Sequence, residues 1–215
     1  MSNKYVTQPY PWKSPARLDG LPELKRAFNH LMQSREERIQ TIRAYFIRKH
    51  EYDIAIDADD ATLDQLPIVI AKCGGLVPRP RMTFDESDPA SKRARVLWQL
   101  QSPWYLDDQT MNLVLDGALL WGEVYRHRYP ASNWVLCKSP RTGVDFGEPC
   151  LSGPNPSAEL FSPRGYLLRF VFASLTDDST EKWCPSLITG IRAFYHGFIP
   201  DPRLDPVWPG PRFPS

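Results

Sequence analysis

A chain of 215 residues, 42% hydrophobic and 24% charged, has ordinary globular composition and the length for one medium domain with a real core. Its lysines and arginines outnumber its aspartates and glutamates by one, so no overall field gathers nucleic acid or an anionic membrane, and a charge-driven partner must meet a local patch. The 22 prolines are about twice the usual ~5% share, and six of them fall in 199–215, so proline shapes the ends of the chain.

Pro9, Pro11 and Pro15, with Tyr10 and Trp12, predict an extended arm over residues 1–20. That N-terminus carries no apolar signal core or cleavage site, and no later window approaches eighteen apolar residues. Neither export nor membrane spanning is expected. From Leu21, the spacing of Leu24, Phe28 and Leu31 or Met32 is helical. Ser34 and Glu37 read as a capping box before Ile39, Ile42 and Phe46, giving two helices or one broken near Ser34. Ile54 and Ile56 alternate with Asp53 and Asp57 like a short strand.

A helix follows, with Thr62 as N-cap, Leu63, Leu66, Val69, Ile70 and Cys73 on its apolar face and a kink at Pro67. Gly74 and Gly75 supply a left-handed end. The segment "RARVLWQL" reads as a strand ending near Leu100, followed by a loop holding Trp104 and Tyr105. Asp107 or Asp108 then caps the strongest helix, a central core element lined by Met111, Val114, Leu115, Ala118, Trp121 and Tyr125. "NWVLC" and "EPCLSG" predict two short strands in a hairpin covering one side of that helix. Ser162 and Pro163 open a buried apolar segment, helix or strand, and a last helix from Pro185 precedes the tail. The expected fold is α+β: a small, mainly antiparallel sheet with flanking helices. It forms a single domain over 21–198, with proline-rich terminal arms at 1–20 and 199–215.

Candidate chemistry is sparse. Cys73, Cys137, Cys150 and Cys184 form no C-x-x-C pair and have no histidine at finger spacing, so no metal or cofactor is expected and a reduced cytosol is the simplest setting. Asp116 and Glu123 share a helix face but are separated by about 10.5 Å along the axis, too far for a glycosidase pair. They read as a solvated or arginine-paired stripe, with a buried Glu123 on an arginine as the alternative. His127 with Cys137 would be a base and nucleophile. The bland reading places His127 at the helix's negative end. Asp145, Phe146 and Gly147 match a kinase triplet but lack its partner motifs, and read as a turn. Arg79 to Trp98 mixes basic and acidic residues, so no direct nucleic-acid contact is expected. Asp53, Asp57, Asp59, Asp60 and Asp64 crowd one stretch, and Asp107 adjoins Asp108. Such aspartates usually cap helices, yet a converging set would suit a basic partner.

The segments "DDATLDQL", "LDGALLWGEVYRHRYP", "NWVLC" and "GEPCLSG" together resemble a group of bacterial immunity proteins, in which a helix carrying a Leu-x-Gly-Glu type segment precedes a tryptophan-bearing strand. Within that group the chain is most similar to the immunity protein 52 family, whose members accompany restriction-endonuclease-fold toxins of polymorphic and type VI secretion systems. The resemblance implies a cytoplasmic antidote without catalysis of its own that binds a cognate secreted DNase. The residues expected to meet that toxin are Asp57, Asp59, Asp60, Asp64, Asp107 and Asp108, with Trp104 and Tyr105 as aromatic anchors. Two other readings stay open at this level. One is an enzyme built on Cys137 and His127; the other is a scaffold whose proline-rich tail engages a recognition module.

Overall fold

The architecture follows from one helix that is buried nearly all round. In a computed structural model, residues 5, 20–78, 104–138, 146–152 and 160–176 are described. The expected strand near Leu100, the helix from Pro185, the basic stretch 79–98 and the tail all lie outside them. The described elements are α1 (Leu21–His50), α2 (Asp60–Cys73), β1 (Leu76–Pro78), β2 (Trp104–Leu106), α3 (Asp108–Arg128), β3 (Trp134–Leu136), β4 (Pro149–Leu151) and α4 (Pro163–Thr176). The class is mixed α+β, as the periodicities indicate. Among the described residues the strands form two antiparallel two-stranded ribbons, β1 with β2 and β3 with β4.

α1 is continuous where two helices, or a break, were expected. Ser34 does not start a helix, because its hydroxyl donates to the His30 carbonyl at 3.1 Å and so stays within the ladder. The helix ends at Glu51, which adopts a left-handed conformation (φ 52°) and returns its N–H to the carbonyls of Ile47 and Phe46. The expected strand at Ile54 and Ile56 is a loop with a turn: Ile54 is buried, whereas Ile56 is exposed. Asp59, not Thr62, caps α2, its carboxylate accepting the Thr62 N–H at 2.8 Å. Neither Gly74 nor Gly75 has a positive φ. Gly74 is extended, and at Gly75 a Cβ would stand 2.5 Å from the Asp107 carboxylate, so close approach rather than handedness explains the glycine there.

α3 is the axis. Its N-cap is Asp107, which accepts from the Thr110 N–H at 2.7 Å, and its buried residues run from Leu113 to Tyr125 with Glu123 as the one half-exposed position. α1 crosses it antiparallel, since Arg35 meets Glu123 and Arg38 meets Asp116. α2 does the same: the Ala58 carbonyl before it accepts from Arg128, and Gln109 donates to the Cys73 carbonyl at its far end. In α4, Phe161 just before the helix packs on Trp121, and Leu175 near its end approaches Gly74. Ser162 opens α4 by accepting the Gly165 N–H. The aromatic-rich segment is therefore helix, not strand.

Two apolar clusters result. The larger joins α2, α3 and α4 with the C-terminal half of α1. The smaller sets Leu24 and Leu31 of α1 against Leu115 and Leu119 of α3 and Leu136 and Phe146 of the β3–β4 hairpin. The hairpin covers α3 as expected, with Trp134 opposite Leu151 and Leu136 opposite Pro149. Phe146 and Gly147 lie in a turn just before β4, where Gly147 takes φ 82° and donates its N–H to the Cys137 carbonyl at 2.8 Å. Among the described residues no helix is long and apolar enough to cross a membrane.

Candidate functional site

Two polar constellations inside the fold have the residue types of an active site. The first is fully buried: Arg38 Nε donates to Asp116 Oδ1 at 2.6 Å and the Tyr5 hydroxyl donates to Asp116 Oδ2 at 2.7 Å, with Tyr5, Arg38 and Asp116 4%, 3% and 0% exposed. Burial pushes the Asp116 carboxyl up, and the Arg38 guanidinium and the Tyr5 hydroxyl hold it back. Burial together with the Asp116 charge pushes the Tyr5 phenol above its ordinary range, so Tyr5 remains a donor. Asp116 is thus arginine-paired but not solvated, and the solvent-facing stripe expected on α3 does not exist at this position. Its position between apolar Leu113, Val114, Leu115 and Ala118 is the sequence signal for that burial.

The second constellation lies within "LLWGEVYRHRYPASNWVL". Gly122 faces the Trp134 indole, where a Cβ would come within 2.1 Å of the ring. Glu123 accepts the indole N–H at 2.6 Å and pairs with Arg35 at 3.1 Å and Arg126 at 2.9 Å. Arg126 also donates to the Ser132 carbonyl at 3.3 Å. The Arg35 pair ties α1 to α3, and the other contacts hold the α3 to β3 turn in place. His127 is exposed in the last turn of α3, whereas Cys137 is buried beside the hairpin. Among the described residues, no group of three or more His, Cys, Asp or Glu side chains is placed to hold a metal ion.

The surface offers a different feature. Trp104 and Tyr105, placed in a loop by their sequence context, belong to β2, with Tyr105 opposite Val77 and Trp104 opposite Pro78. Val77, Trp104 and Tyr105 are 43%, 42% and 41% exposed, a concentration of large apolar side chains on one short ribbon. The base of the ribbon is clamped. The Gly75 N–H donates to Thr110 Oγ1 at 2.7 Å, the Asp107 N–H donates to the Gly75 carbonyl at 3.0 Å, and Thr110 Oγ1 donates to Asp107 Oδ1 at 2.7 Å. Leu106, opposite Leu76, is buried and roots β2 in the core. Val77 was missed in sequence because a three-residue strand behind two glycines shows no alternation.

The acidic residues separate into two places. Asp57 and Asp59 are exposed in the approach to α2, Asp60 opens that helix and Asp64 is half-buried in its first turns. The charges of Asp59 and Asp64 reinforce the effect of burial in pushing the nearby Tyr52 phenol up. This group adjoins Arg128, at the C-terminal end of α3. Asp107 and exposed Asp108 stand at its N-terminal end, about 30 Å away along 21 residues of helix. They do not form one patch. Asp59 and Asp107 are helix caps, and Asp53 pairs with Arg43 at 2.9 Å. Asp108 borders the aromatic ribbon through Asp107 and Leu106.

Comparison of the chain with family models, with curated proteins and with solved structures finds no match.

Proposed function

We propose that the chain is an immunity protein of the bacterial cytoplasm, which binds a cognate secreted toxin, a DNase of the kind carried by type VI systems. It neutralises the toxin by covering its active site or substrate cleft, without catalysis of its own. The resemblance in the α2, α3 and hairpin segments motivates this reading. The observation that carries the binding part is the β1–β2 ribbon, where Val77, Trp104 and Tyr105 stand exposed on a base held by the Gly75, Asp107 and Thr110 hydrogen bonds. Tryptophan and tyrosine on a rigid support are the side chains that concentrate binding energy at protein interfaces, because they desolvate a large area while losing little rotamer freedom. Asp108 beside them favours a basic counter-surface, such as the cleft with which a nuclease holds phosphates.

The acidic group at Asp57 and Asp59 belongs to the other end of α3, so docking centres on the ribbon and uses Asp108 in preference to Asp57, Asp59, Asp60 or Asp64. The test is co-expression with the nuclease-domain product of the gene beside its own. The expected result is survival of the host and a complex that co-elutes in size exclusion. Killing at the rate of toxin alone, with no complex formed from the purified proteins, overturns the proposal.

A further inference from the structure

Outside the ribbon and the two polar constellations, the ends of two helices bring a thiol and an imidazole together. Cys73 is the last residue of α2 and His50 the last of α1, 23 positions apart, yet Cys73 Sγ lies 2.9 Å from His50 Nε2 at a partly open position on the surface. Tyr45, one turn before His50 on α1, has its ring 6.5 Å from the imidazole and hydrogen-bonds its hydroxyl to the same sulfur. Cys137 and Cys150 are buried with 5% and 0% exposure, so of these three thiols only Cys73 meets solvent.

We propose that Cys73 is a thiol-modification site, with His50 as its general base and Tyr45 as a hydrogen-bond donor to the developing thiolate, and that it exchanges with small disulfides. The geometry supplies each part of that exchange. His50 Nε2, when neutral, accepts the proton of the Cys73 S–H group. The sulfur attacks one sulfur of the incoming disulfide, a new S–S bond forms, the old S–S bond breaks, and the other half leaves as a thiolate, which takes up a proton from His50 or solvent. No net oxidant beyond the disulfide is consumed.

The base matters because the thiol is not acidic by itself. Burial pushes its ionisation up, and the negative end of α2 opposes a thiolate there. Without an acceptor for its proton, Cys73 would react more slowly than an ordinary exposed thiol. The modified side chain would sit against Tyr45, which in turn packs on Tyr5 with ring centroids 4.8 Å apart. A bulky adduct at Cys73 therefore presses on the contact that seats Tyr5 over Asp116. This inference is independent of the toxin-binding reading.

The full chain is treated with an aromatic disulfide whose leaving thiolate absorbs visible light, and the labelled peptide is identified by mass. The expected result is that Cys73 reacts faster than Cys137 and Cys150, and that His50→Gln slows it by up to about a hundredfold near neutral pH, the scale of general-base assistance. The two rates converge at alkaline pH, where the thiol ionises unaided. Tyr45→Phe, which keeps the ring packing, slows the reaction less. Far-ultraviolet circular dichroism of each variant guards against reading a folding defect as a kinetic one. Cys73 labelling no faster than that of an unstructured cysteine peptide, or a folded His50→Gln protein with an unchanged rate and pH profile, overturns the proposal.

Discussion

The Arg38–Asp116 pair shows how one buried charge organises its surroundings. A carboxylate with no exposure has lost its hydration and depends on the guanidinium and the Tyr5 hydroxyl, so removing one partner leaves an uncompensated charge in the core. Arg38→Met is expected to lower stability by about 3–5 kcal/mol in urea unfolding, and adding Asp116→Leu to recover a large part of it. A cost under about 1 kcal/mol for the single change would mean that the pair is not buried as described. Asp59 behaves in the opposite sense. Its hydrogen bonds from Thr62, and then the Arg128 charge, lower its pKa. A carboxylate lowered on folding contributes stability that is present above its unfolded pKa and is lost as pH falls through its folded one. Asp59→Asn keeps an acceptor for the cap but does not titrate. Its urea midpoint should therefore lie below that of the wild type at neutral pH and meet it under acid conditions, and parallel curves across the whole range would contradict the assignment.

Among the elements, the α3 to β3 corner is set by a glycine and a tryptophan. Gly122 leaves the space that Trp134 fills, and Glu123 fixes the indole by its N–H. Gly122→Ala puts a Cβ into the ring, so the hairpin must lift. A loss of about 1–3 kcal/mol is expected from overpacking, with a red shift of tryptophan emission as the indole gains water. Gly117→Ala is the control, because its Cβ crowds only the movable end of Ile70 at 2.6 Å and makes ordinary contact with Leu167 and Leu66. Most of this level was legible in the sequence. The helical spacings, the Asp107 cap, the hairpin strands and the Ser162 helix start are all local signals, and local signals survive without knowledge of neighbours. The errors have a common origin in contacts made across the fold. Ser34 carries a start signal that α1 overrides by bonding backward, and Ile54 and Ile56 lack a partner strand to pair with. Asp116 is arginine-paired, one of the two readings its stripe allowed, but its burial and its partner Arg38, 78 positions away, emerge only in the fold.

At the scale of the molecule, among the described residues α1, α2 and α4 pack antiparallel on α3, and the buried charges of that core are paired with one another. The candidate site was half legible. Trp104 and Tyr105 stand out by residue type, whereas their strand partner Val77 and the clamp through Thr110 emerge only when β1 and β2 are brought together. The acidic residues were legible as a composition and not as a surface, since sequence proximity does not reveal that Asp59 and Asp108 belong to opposite ends of a helix. The proposed binding face is the ribbon, and its support is the Gly75, Asp107 and Thr110 clamp at the N-terminal end of α3. The most direct measurement is the affinity of the purified toxin for wild type, for Trp104→Ala with Tyr105→Ala, and for Asp57→Lys with Asp59→Lys. The aromatic double variant is expected to keep its thermal unfolding midpoint but bind about 30-fold or more weakly, corresponding to ~2 kcal/mol, while the aspartate variant binds nearly as wild type. Undiminished binding by a folded aromatic variant, with the loss appearing instead in the aspartate variant, would contradict it.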